Sequence, residues 1–125
     1  MNKKIVTFTF VLMTLVFSGV LKSSADVPAS QKPEVEHLLE FIESTQCEFE
    51  RNGKKYSGER ASKHIKRKYK HFRDQISTTE EFIEYSGTKS TISGKDYLVY
   101  CDSEQPVTSK DWLMEELVLF REQSS

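Results

Sequence analysis

Two cysteines, Cys47 and Cys101, stand 54 positions apart in a chain of 125 residues, and what they do depends on the compartment they meet. The N-terminus points to one. Met1-Asn2-Lys3-Lys4 is a positive flank, Ile5 to Leu21 is an uncharged apolar run of 17 residues, and Ser23-Ser24-Ala25 places small residues at the third and first positions before Asp26. That order is the pattern of a secretory signal peptide and its cleavage site. We therefore expect residues 1–25 to be a signal peptide and the protein to be periplasmic or secreted. No stable membrane span should remain after cleavage; a run at the short end of bilayer-crossing lengths leaves a retained anchor as the alternative. Exported thiols tend to pair, so Cys47 and Cys101 are expected to form a disulfide. Closing a loop of roughly 55 residues should stabilise the fold by about 4 kcal/mol. A redox or metal role is the weaker reading, because there is no C-x-x-C and two cysteines make only half a zinc site.

Without residues 1–25 the chain has 100 residues, the size of one small domain. The leader takes Lys3, Lys4 and Lys22 with it, leaving 15 basic against 19 acidic residues, a net of −4. A general attraction to nucleic acid is not supported by that balance.

Residues 26–32 are polar with one Pro and read as a flexible lead-in. From Pro33 the apolar residues Val35, Leu38, Leu39 and Ile42 recur at helical spacing, predicting a helix that ends near Ser44. In "CEFERNGKKYS" the period changes to two, and Asn52-Gly53 is the pair that accepts the positive φ of a tight hairpin turn. Ser57 can cap the next helix, whose apolar side runs Ala61, Ile65, Tyr69, Phe72 and Ile76. Ser77 and Glu80 have capping-box spacing ahead of a short helix that should stop at Ser86-Gly87. "DYLVYC" reads as a strand with Tyr97, Val99 and Cys101 on one side, and Thr108 with Asp111 opens a last helix carrying Trp112, Leu113, Leu117 and Phe120. The order predicts an α+β fold: a small single domain over residues 33–122, four helices packed on a short antiparallel sheet made of the hairpin plus one later strand.

The stretch "GERASKHIKRKYKHFRDQ" carries seven Lys or Arg residues and two His. At 100° per residue its apolar stripe spans about 80°, with Lys63, Lys66, Lys70 and Arg73 roughly opposite and Arg60, His64, Arg67 and His71 in a row along one shoulder. The back is the solvated side that any one-sided helix needs. The shoulder admits two readings. Arg60, His64, Arg67 and His71, with Arg51 and Lys95 as neighbours, could grip a phosphate or carboxylate; or the row could pair with the many Glu residues of the first and last helices, which is the preferred expectation. Lys68 lies at the margin of the stripe, where a lysine snorkels or finds a carboxylate.

Metal chemistry is not indicated: His64 and His71 are separated by a rise of about 10.5 Å, too far to share one ion. No cofactor is implied, since "SGTKSTISG" lacks the G-K-[ST] ending of a phosphate loop. The non-catalytic reading is a binding or interaction module of the cell envelope with an unknown envelope partner or anionic ligand. The alternative is a small hydrolase or transferase using His64 as general base near Ser93.

The segments "CEFERNG", "ASKHIKRKY", "ISTTEEFI", "SGKDYLVYC" and "DWLMEEL", in this order and spacing, resemble the YfeK-like family of small exported bacterial proteins, a domain of unknown function. The resemblance covers about Pro33 to Arg121. It implies a single compact periplasmic domain with cysteine at Cys47 and Cys101, and no established activity. It marks Arg51, Asn52, Gly53, His64, Lys68, Tyr69, Ser93, Gly94, Lys95, Tyr97 and Trp112 as typical, with departures at Glu50, Lys66 and Asp96.

Overall fold

A computed structural model describes residues 26–102 and 105–125; the expected signal peptide lies outside the described residues. The elements follow in the order α1 (Lys32–Ser44), β1 (Glu48–Arg51), β2 (Lys54–Ser57), α2 (Gly58–Phe72), a 3-10 turn (Arg73–Gln75), α3 (Thr79–Ser86), β3 (Leu98–Tyr100), β4 (Val107–Thr108) and α4 (Ser109–Gln123). This is the expected small α+β domain, with four helices on an antiparallel sheet of order β2-β1-β3-β4. The fourth strand was not expected. Val107 and Thr108 pair with Val99 and Leu98, and two residues are too few to show a period of two.

Asn52 and Gly53 both take positive φ, 51° and 80°, so the β1–β2 turn is the one their pairing predicts. Phe49 lies opposite Val99 in the β1–β3 register, and both are buried against the helices. The other face of the sheet carries Glu50 and Tyr100, whose hydroxyl donates to the Glu50 carboxylate at 3.2 Å. Cys47 and Cys101 are bonded, one residue outside the ends of β1 and β3, with Cα atoms 4.4 Å apart.

Beneath the sheet, Leu38 and Ile42 of α1, Ile65 of α2, Phe82 and Ile83 of α3, and Leu113 and Leu117 of α4 form the centre of one core. The core side chains among the described residues run from Val27 to Leu117. α1 and α2 meet through small residues: Ser62 donates to the Leu39 carbonyl at 3.4 Å, and Gly58 and Ala61 flank that contact.

Three local expectations are corrected. The lead-in 26–32 is packed rather than flexible: Val27 is only 4 % exposed, the Tyr69 hydroxyl donates to Asp26, and the Gln31 side chain accepts from the Thr79 amide at 2.8 Å. α2 ends at Phe72, and Ile76 reaches the core from an extended backbone after the 3-10 turn, so its spacing imitated a further helical step. The cap of α3 is Thr78, which accepts from the Glu81 amide at 3.1 Å; Ser77 instead donates to the Glu81 carboxylate at 2.7 Å. The capping spacing is met twice in "STTEE", and the structure uses the second frame.

Candidate functional site

The shoulder of α2 faces the open edge of the hairpin. Ser57 caps α2 through the Arg60 amide, and this fixes the helix directly after β2, so Arg60, His64 and Arg67 look toward Arg51 at the end of β1. Between them lies a cleft of about 140 Å³. Its floor is apolar, from Phe49, Ala61 and Ile65; Tyr56 and Tyr97 form side walls; Arg51, Arg60 and Arg67 line the rim.

His64 is the centre of the polar part. Arg51 Nη1 lies 3.0 Å from its ring nitrogens, and its Nε2 is 3.1 Å from the Tyr97 hydroxyl. Lys68 Nζ also donates to that hydroxyl, at 3.2 Å, and to the Lys89 carbonyl at 2.6 Å. A guanidinium can only donate, so Arg51 needs an unprotonated ring nitrogen as its acceptor. The consistent arrangement has Arg51 donating to Nδ1 and Nε2–H donating to Tyr97. The tyrosine oxygen then accepts twice, and its own proton is left to donate elsewhere. Burial, and after it the charges of Arg51, Lys68 and Arg67, lower the His64 pKa to about 4. Burial first, and then Arg51 and Lys89, also lowers the Lys68 ammonium, while burial raises the Tyr97 phenol against the opposing charge of Arg51.

The preferred expectation of internal pairing is corrected here. Elsewhere on the surface several cations do find acids: Lys63 with Glu59, Lys66 with Glu43, Arg73 with Asp26, Lys110 with Glu84, and Arg121 with both Glu34 and Glu80. Among the described residues, Arg51, Arg60, Arg67 and Lys68 form no ion pair. Glu50 borders the cleft, but its carboxylate takes the Tyr100 hydroxyl. Arg51 and Arg60 instead lie over the Tyr56 ring, at 5.4 and 5.3 Å from its centroid. The acids of α1 and α4 that find partners find others: Glu43 meets Lys66 on the back of α2, Glu34 holds Arg121 and Thr79, and Glu116 holds His37.

Of the candidate residues, the fold brings together Arg51, Arg60, His64 and Arg67. His71 lies one turn further on and sets its ring edge-on to Phe72, at 4.7 Å between centroids. Lys95 belongs to a neighbouring depression with Asn52, Gly53 and Asp96. His37, on α1, bonds Glu116 at 2.8 Å, so the three histidines are distributed over three separate environments. Ser93 donates to Asn52 Oδ1 at 2.5 Å and accepts from the Lys95 amide, and no hydrogen bond joins it to His64. A His64–Ser93 dyad is therefore not formed. The binding residues read from the sequence did not include Tyr56, Lys68 and Tyr97, which line the cleft or bond the groups that do. For Lys68 the signal was its angle at the edge of the apolar stripe; Tyr97 sat on the buried side of its strand, where a hydroxyl needs a partner.

The profile of the Family of unknown function (DUF5329) matches residues 29–121, most of the chain. The chain belongs to this family. A curated relative, the uncharacterized protein YfeK of Salmonella typhimurium, is 31% identical over 78 residues. That match covers 62% of this chain and 65% of YfeK, a little under two thirds of the relative's length. No solved structure matches the chain. The resemblance seen in the sequence is thus supported at the level of the family, which carries no assigned activity. Arg51, His64, Lys68 and Tyr97, which the YfeK-like resemblance marks as typical, form one chain of hydrogen bonds here.

Proposed function

We propose that this DUF5329 protein is an exported, non-catalytic binding module of the cell envelope, and that the cleft between α2 and the β1–β2 hairpin grips an anionic group, a phosphate or carboxylate, of its ligand. One observation carries the reading: Arg51, Arg67 and Lys68 crowd a neutral histidine, Arg60 lines the same cleft, and none of the four forms an ion pair among the described residues, the one carboxylate at the cleft, Glu50, being bonded to the Tyr100 hydroxyl. Like charges held this close are unfavourable to the folded chain by themselves, and an incoming anion relieves them. The donors suit an oxyanion, because guanidinium groups offer planar forks, and the Tyr97 hydroxyl retains a proton to give. The apolar floor accommodates the carbon part of an ester or acid. Export is supported by the leader pattern before Asp26 and by the Cys47–Cys101 bond.

The test is calorimetric titration with inorganic phosphate and glycerol phosphate. Replacing Arg60→Ser and Arg67→Ser together should weaken binding by at least about tenfold, the scale of one lost charge-assisted hydrogen bond. The unfolding midpoint should hardly move, since both side chains are exposed and unpaired. Unchanged affinity, or a stability loss of several kcal/mol as expected of a structural row (~3 kcal/mol or more), would remove the basis of the proposal.

A further inference from the structure

Next to the cleft, the loop between α3 and β3 holds an apolar residue in water. Ile92 is 97 % exposed, far beyond Val107, Val118 and Leu119, which are about half exposed. A single exposed aliphatic is ordinary on a protein surface. The loop that carries this one is not. Lys89 and Asp96 form a β-bridge, the Ser90 amide donates to the Lys95 carbonyl at 2.9 Å, and the Gly94 amide donates to the Ser90 carbonyl at 2.9 Å. Gly94 takes φ 71°, which closes the turn. Asn52 ties the loop to the hairpin turn through Ser90 at 3.2 Å and Ser93 at 2.5 Å. Ser90 and Ser93 are thus used to fix the backbone of the turn, and Ile92 is left at the tip with no core to join.

Its surroundings are cationic. Lys89 and Lys95 flank the tip, Lys54 follows the hairpin turn to which the tip is tied, and all three are exposed. None of them forms an ion pair among the described residues, and the acids at this end are Glu50, whose carboxylate accepts from the Tyr100 hydroxyl, and the exposed Asp96. The anion cleft adjoins directly, because Lys68 donates to the Lys89 carbonyl. A protein with net charge −4 over residues 26–125 therefore has one end where an apolar tip, exposed lysines and an anion cleft come together.

We infer that this end is a membrane-contact surface: Ile92 enters the interfacial layer of a bilayer containing anionic phospholipid, Lys54, Lys89 and Lys95 lie against the headgroups, and the cleft receives a lipid phosphate. The inference rests on the anion reading of the cleft and names the ligand class. An acidic protein has no general attraction to an anionic surface, so binding must use this end, and it is selective for lipid charge. The rigidity of the loop removes the cost of ordering it on contact.

The experiment uses residues 26–125 with vesicles of phosphatidylcholine alone and of phosphatidylcholine mixed with phosphatidylglycerol. Co-sedimentation is expected with the mixed vesicles only. Ile92→Ser should weaken it by about tenfold, and Lys89→Gln and Lys95→Gln by about fivefold each. Placing a reporter at the tip, Ile92→Trp, should give an emission that shifts to the blue on mixed vesicles and is quenched by brominated acyl chains, whereas the single Trp112 of the parent protein is not quenched. Equal binding to both vesicles, binding to neither, full binding by Ile92→Ser, or an unshifted Ile92→Trp emission on saturating mixed vesicles each overturns the inference. If inorganic phosphate still binds the cleft in the same preparation, the membrane surface alone is refuted; if phosphate also fails to bind, the anion reading falls with it.

Discussion

Replacing Cys47 and Cys101 together by Ala should lower the stability of the domain by about 4 kcal/mol, the chain-entropy value for a loop of this length. In a domain of about 100 residues that corresponds to a fall in Tm of roughly 15–30 °C. The position of the bond argues for the full effect. Cys47 and Cys101 continue the Glu48–Tyr100 register by one residue, so the bond fastens the ends of the two central strands, whose pairing with each other joins distant segments such as Phe49 and Val99. β1 and β3 contribute only four and three residues to the sheet, so little ladder remains to hold that register without it. Urea unfolding of the double variant beside the parent gives the value. A loss below about 1 kcal/mol would mean that the core closes the loop unaided and that the bond adds little.

Gly58→Ala has the second largest expected effect, and its sign is the informative part. By helix propensity alone, Ala in α2 should gain up to about 1 kcal/mol. Packing predicts the reverse: a Cβ at Gly58 would lie 2.1 Å from the Ile42 carbonyl oxygen and 2.9 Å from a Thr45 methyl. The first of these is backbone and cannot turn aside, so α1 and α2 must separate where Leu38, Ile42 and Ile65 are packed. Overpacking of this kind costs about 1–3 kcal/mol and at times more, so a net loss of about 2–3 kcal/mol is expected. Thermal or urea unfolding decides it; a variant as stable as the parent would show that the two helices do not approach as closely as described.

That close approach could not be read from the chain. Ser57 was legible as a cap, but only the neighbouring helix shows why a side chain is excluded at Gly58. What was legible depended on one segment at a time: the Asn52-Gly53 turn, the apolar stripe of α2, the alternation of Tyr97, Val99 and Cys101, and the pairing of two cysteines. Errors came where several frames satisfy the same local rule. "STTEE" offers two capping registers, and Ile76 keeps helical spacing beyond the end of its helix. The site divides in the same way. The α2 angles placed Arg60, His64 and Arg67 in one row, and Arg51 followed from the hairpin. Whether that row met acids or solvent depended on the relative placement of α1, α4 and the sheet, to which single-helix geometry is blind. Lys68 was correctly placed at the stripe's edge, but its acceptors, the Lys89 carbonyl and Tyr97, come from a loop 21 and a strand end 29 positions away.

Titrating His64 by NMR, with and without inorganic phosphate, tests the central claim most directly. In the free protein the imidazole should titrate near 4, held down by burial and by the charges of Arg51, Lys68 and Arg67. Because the unfolded chain would take up the proton near 6.5, the stability that this neutral histidine confers is complete above about pH 6.5 and is lost as pH falls from there towards 4. A phosphate in the cleft opposes those charges, so it should raise the His64 pKa, and by the same coupling phosphate should bind more tightly as His64 takes up its proton. A His64 resonance that moves upward in pKa with phosphate, and fails to do so after Arg60→Ser and Arg67→Ser, is the predicted result. A His64 that titrates at its ordinary value and ignores phosphate would contradict the account.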